Sequence, residues 1–208
     1  MAYRDFTLKD LDKKFGIINQ LVPLFDLSKI EKITPSEWLN LSLTLGQQMR
    51  PTTEKAKSEV IVTPILLDLK NRNNNFFNIF SGNILKVDKE RGLNGECDFI
   101  LSVNTKSYII DTPIISLVEA KNDVLSLGIG QCAAQMYAAK LQNEDDGKPL
   151  DVIYGCVTTA RDWQFMKLEN NQLLIDEKVY FIENLETILG IFQHIIDYYK
   201  SILEPVTA

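Results

Sequence analysis

Apolar positions change period several times along the chain. Leu8, Leu11 and Phe15 recur at helical spacing before Gly16, and Ser36 is placed to cap a second helix carrying Trp38, Leu39, Leu41, Leu43 and Leu45. With Pro23, Pro35 and Pro51 punctuating it, the stretch 1–51 reads as a helical N-terminal extension, poorly connected to a domain spanning 52–208. A longer helix is expected from Thr52 or Thr53 to about Leu69, kinked at Pro64, with Val62, Leu66 and Leu69 on one face. Glu59 extends that apolar stripe, so it either has a partner or sits near the helix start, where the dipole favours it. Phe76–Val87 is a β-rich run broken near Gly82, and a polar turn, 89–95, follows it. Two apolar runs, Phe99–Val103 and Ile114–Val118, come next. A helix over Val124–Asn143 ends by Gly147, and Val152–Thr158 reads as a buried strand after a helical crossover. Short strands at Trp163–Leu168, Leu173–Ile175 and Val179–Ile182 precede a final helix, Leu185–Leu203. This order describes an α/β fold with a central mixed sheet flanked by helices.

The two central runs carry acid at one end. Side chains alternate along a strand, so Glu96 and Asp98 share a face, as do Glu119 and Lys121. Paired as an antiparallel hairpin with Asp98 opposite Glu119, the runs turn between Tyr108 and Ile109. The connection is then 104–112, and Pro113 sits at a strand start, where its missing N–H does least harm. Cross-strand neighbours stand about 5 Å apart, so two carboxylates and an ammonium converge on one patch. Acid-x-Lys occurs five times in the chain, but only Glu119/Lys121 ends an apolar strand with an acid-led strand upstream. Hard Mg²⁺ prefers such oxygens: Asp98, Glu119 and the Ala120 carbonyl are candidate ligands, with Lys121 beside water and a substrate phosphate. Gln131 and Gln135 share a face of the following helix. Gly128 and Gly130 are costly inside a helix, and close approach of another backbone is one reason to keep them.

Composition narrows the function classes. Cys97, Cys132 and Cys156 form no CxxC pair, which suits reduced thiols packed as small hydrophobes. A single histidine, His194, removes histidine triads and multi-histidine metal sites from consideration. No apolar run approaches the roughly 20 residues that span a bilayer, and the charged start holds no signal-peptide core, so a cytoplasmic protein without a membrane partner is expected. The net charge of −6 weighs against a nucleic-acid partner, yet it is uneven: +2 over 1–58, −1 over 59–141 and −7 over 142–208. Lys9, Lys13, Lys14, Lys29 and Lys32, and separately Lys86, Lys89 and Arg91, are available to meet phosphate.

Glu59 on a helix, GECD with Asp98, VEAK with Glu119 and Lys121, and GIGQ with Gln131 together resemble the PD-(D/E)xK nuclease superfamily. The later YGCVTTARDWQFMKL run is similar to small stand-alone bacterial members. The similarity covers about residues 53–170, with Cys97 where the name of the motif has Pro. It implies a restriction-endonuclease-like fold and Mg²⁺-dependent phosphodiester hydrolysis, with Mn²⁺ as a substitute ion. It also implies Asp98 and Glu119 as metal ligands, Lys121 as the water-positioning residue, Glu59 as the acid at the start of the site and Gln131 as a helper. The expected activity is a deoxyribonuclease acting as a homodimer on DNA. A catalytically inactive nucleic-acid-binding or scaffolding member of the same fold is the alternative, and an α/β interaction domain with Asp98 and Glu119 exposed and apart is a third.

Overall fold

The central apolar runs pair, and the sheet grows outward from them. The computed structural model describes residues 1–103 and 108–203, so the first part of the expected hairpin connection, 104–107, lies outside the described residues. Strands β1 (Ile18–Val22), β2 (Asn78–Asp88), β3 (Leu93–Ser102), β4 (Ile114–Ala120), β5 (Val152–Thr158), β6 (Asp162–Glu169) and β7 (Gln172–Asp176) run in the order β1-β7-β6-β5-β4-β3-β2, and the short β8 (Tyr180–Phe181) also pairs with β6. The β4–β5 and β1–β7 pairs are parallel and the others antiparallel, so the sheet is mixed. Every residue of β4 and β5 is buried, which is why both read as unbroken apolar runs instead of alternating ones.

Helices cover the sheet. The crossover between β4 and β5 is α5 (Ser126–Asp145), seated closely on β5: a Cβ at Gly155 would stand 3.1 Å from Cys132 Sγ. The last helix, α6 (Leu185–Leu203), stacks Phe192 edge-on against Trp163 and Phe165 of β6. Its Tyr199 hydroxyl donates to Ile115 O at 2.7 Å, tying β4 to the helix. All three cysteines are free and fully buried, as small core hydrophobes would be. Among the described residues no helix is long and apolar enough to cross a membrane.

The N-terminal third departs from the helical extension expected for 1–51. Helix α1 (Leu8–Phe15) forms with Thr7 accepting from Asp10 N and Gly16 in the left-handed region, and α2 (Glu37–Gln48) is capped by Ser36. Between them, however, β1 joins the sheet beside β7, and Phe6, Leu11, Ile17, Phe25 and Leu39 lie in the common core. The strand escaped notice because β1 is an edge with nearly every side chain exposed, Ile18 at 64% and Leu21 at 66%, so it lacks a period-two signal.

The helix leading to the sheet changes its winding just ahead of Pro64. It runs as α3 (Glu54–Lys57), a wide π turn (Ser58–Val62) and α4 (Thr63–Arg72). Pro64 has no N–H for the Val60 carbonyl and its ring crowds that oxygen, so the helix widens ahead of it. Helix α2 crosses at this point, and a Cβ on Gly46 would stand 2.6 Å from Val60 O. Glycine permits that approach.

Candidate active site

Asp98, Glu119 and Lys121 meet at one cavity. The β3–β4 register pairs Phe99 with Val118, and its continuation sets Asp98 opposite Glu119. On the other edge of β4, Lys121 N donates to Thr158 O at 2.7 Å. Neighbouring strand residues turn their peptide groups to opposite sides, so those of Ala120 face β3, where its N–H donates to Asp98 Oδ2 at 2.7 Å. The Ala120 carbonyl thus lies on the Asp98 side, as its candidate role requires.

Glu119 is the best-held group in the site. It is 1% exposed; Lys121 Nζ donates to one of its carboxylate oxygens at 2.7 Å and Gln135 Nε2 to the other at 2.9 Å. Lys121 also donates to Gln131 Oε1 at 3.1 Å, so Gln131 and Gln135 of α5 both turn to the site. An interaction domain with separate surface charges would keep Asp98 and Glu119 exposed and apart; here they line one cavity of about 390 Å³.

Burial and like charge shape the titration. Burial pushes the Glu119 carboxyl up to about 8, Asp98 adds to the push, and Lys121 and the Gln135 amide oppose it. Asp98 is also raised, chiefly by burial, against the lowering effect of the Ala120 N–H. Burial lowers the Lys121 ammonium, but Glu119 and the surrounding acids outweigh it and the net direction is upward. Burial first, and the nearby Glu119 carboxylate after it, raise the Cys97 thiol strongly and make it a poor nucleophile.

Glu59 stands differently from the expectation. Its side chain is 59% exposed, lies 3.9 Å from Lys55, and lines a neighbouring cavity that shares Glu96 and Asp98. The π turn explains this: its extra residue offsets the helical phase, so the face below Val62 passes through Ser58 and Glu54, not Glu59 and Lys55. Glu54 is the acid that lines the cavity with Asp98, Glu119 and Lys121, anchored by accepting from Asn122 N at 3.1 Å. Thr53, a capping residue just before it, was a signal for its position at the helix start. Tyr3 and Arg4, which spacing alone did not single out, line the same cavity.

The donor set can be tested against Mg²⁺. Carboxylate oxygens on Asp98 and Glu119 and the Ala120 carbonyl are the hard ligands that ion takes, and Glu54 and Glu96 make the cavity acidic beyond what Lys121 offsets. Asp98 and Glu119 are raised first by burial, a bound cation would favour their charged forms, and oxygen donors of this kind fit the ion in chemistry. They are not arranged as a closed cage: among the described residues no group of three or more His, Cys, Asp or Glu side chains is placed to hold a metal. Comparison of the chain with models of known protein families, with curated proteins and with solved structures finds no match.

Proposed function

We propose that this chain is a metal-dependent nuclease hydrolysing phosphodiester bonds in DNA, built on a restriction-endonuclease-like version of the mixed α/β fold. The observation that carries the reading is the Glu119–Lys121 pair at 2.7 Å beside Asp98, at the end of two central strands. Asp98, Glu119 and the Ala120 carbonyl would hold Mg²⁺, or Mn²⁺ in its place. When bound, the ion supplies positive charge that lowers the pKa of water and offsets charge on phosphoryl oxygens. Lys121 has three donors, of which Glu119 and Gln131 take two. The third has no acceptor among the described residues and would orient water or a phosphate oxygen and stabilise the negative charge that grows in the transition state. Gln135 fixes the Glu119 carboxylate from behind, and Glu54, not Glu59, takes the part of the acid at the helix start. Cutting both strands by this chemistry takes two sites, which favours a homodimer.

Plasmid cleavage with Mg²⁺ or Mn²⁺ tests the reading: wild type cuts, while Asp98→Ala and Lys121→Ala lose activity by two orders of magnitude or more, about what removing one such stabilising group costs. Equal rates in all three proteins refute the assigned site. The open acid arrangement favours the second reading, a non-catalytic nucleic-acid-binding member; it predicts no Mg²⁺ or Mn²⁺ heat in calorimetry of the wild type.

A further inference from the structure

An acid-rich cavity repels the phosphate backbone it is proposed to cut, so cations must stand at its border. The first seven residues supply one, Arg4, and the fold holds those residues tightly. Tyr3 is 1% exposed and Phe6 4%. Three glycines make room for the segment. A Cβ on Gly92 would stand 3.1 Å from Met1 Cβ, one on Gly95 3.2 Å from Tyr3 Cδ2, and one on Gly130 3.0 Å from Phe6 C and Thr7 Cα. Glycine conformations are needed at two of them, with φ of +91° at Gly92 and +148° at Gly95. This anchorage sets Arg4 at the cavity wall, its side chain 83% exposed and only 3.9 Å from Asp5 as a loose partner.

Two further cations join it on an aromatic platform. The Phe6 and Phe15 rings lie 5.8 Å apart; Lys14 Nζ sits 5.2 Å from the centre of Phe6, and the Arg91 guanidinium 5.5 Å from that of Phe15. Lys14 comes from α1 and Arg91 from the turn between β2 and β3, two basic stretches far apart in sequence. The rings restrict the motion of long exposed side chains, so less order is lost when a phosphate arrives. The geometry points to Arg4, Lys14 and Arg91 as a phosphate track that guides a DNA backbone into the Asp98–Glu119–Lys121 cavity. This rests on the nuclease reading for its substrate, but it is tested by binding instead of cleavage.

The experiment is fluorescence anisotropy of a short fluorescein-labelled DNA duplex titrated with wild type, with Arg4→Ala/Lys14→Ala/Arg91→Ala, and with a control, Lys29→Ala/Lys32→Ala, in which Lys29 pairs with Asp26 at 3.3 Å and Lys32 lines a separate cavity, each at several salt concentrations without divalent metal. Each phosphate contact contributes about 0.9 to the slope of log K against log salt, so the triple variant should lose about 2.7 of that slope and bind at least tenfold more weakly at low salt. The control should match wild type. A charge-reversed pair, Arg4→Glu/Lys14→Glu, leaves the Arg91–Asp88 bond of 2.6 Å in place and should weaken binding as well, with the melting temperature confirming that it folds. An unchanged slope in the triple variant, an equal loss in the control, or no binding by wild type overturns the track. Wild type that binds with the expected slope and yet never cuts DNA with Mg²⁺ or Mn²⁺ overturns the nuclease reading and leaves the track standing.

Discussion

Gly130→Ala sets two known effects against each other, and the structure decides which is larger. Gly130 lies inside α5, where alanine favours the helix by about 1 kcal/mol over glycine. Propensity alone therefore predicts a more stable protein. The new Cβ would stand 3.0 Å from Phe6 C and Thr7 Cα, and closer still to Phe6 O. These are backbone atoms and cannot swing aside as a side-chain tip can. Overpacking of this kind costs about 1–3 kcal/mol, and contacts to rigid backbone put it at the upper end. The net loss is then about 2 kcal/mol. For a chain of 208 residues each kilocalorie moves Tm by about 2–4 °C, so a drop of about 4–8 °C is expected by calorimetry or circular dichroism. Urea unfolding should give the same loss with an unchanged slope, because the surface exposed is the same. A variant as stable as wild type, or more so, would show that residues 6 and 7 do not press on α5, and the anchored position of Arg4 would fall with it.

The remaining predictions concern buried polar groups. Glu119 has its folded pKa raised to about 8 and Asp98 is raised as well, so between the ordinary carboxyl range and pH 8 the folded chain holds more protons than the unfolded one. Metal-free stability should therefore fall as pH rises through that window, and Glu119→Gln should flatten the fall in a series of thermal melts; a rise with pH in wild type would contradict the assignment. Among the described residues the buried Tyr3 hydroxyl has no hydrogen-bond partner, so Tyr3→Phe should be neutral or stabilising by about 1 kcal/mol in urea unfolding. A loss of that size would reveal a bond the geometry does not contain.

Much of the fold was legible because its signals are local. The β3–β4 register follows from where acids sit on two apolar runs, and the Thr7–Gly16 and Ser36 helix boundaries follow from caps. That Asp98, Glu119, Lys121 and Gln131 come together at one cavity was legible for the same reason. Glu54 was hidden because helical spacing assumes a constant turn, and the π turn before Pro64 breaks that assumption in a single residue. The N-terminal segment was hidden because its place depends on Gly92, Gly95 and Gly130, whose meaning appears only when distant backbones meet. Strand β1 was hidden because an edge strand need not alternate.

The widened turn ahead of Pro64 carries a consequence for chain length. One residue advances a regular helix by about 100°, and the wide turn absorbs one such step between the Thr53 cap and Pro64. Deleting one residue of that turn would therefore restore an even coil and leave Glu54 seven places before Val62, within about 20° of the same face, whereas inserting one would turn Glu54 away from the cavity.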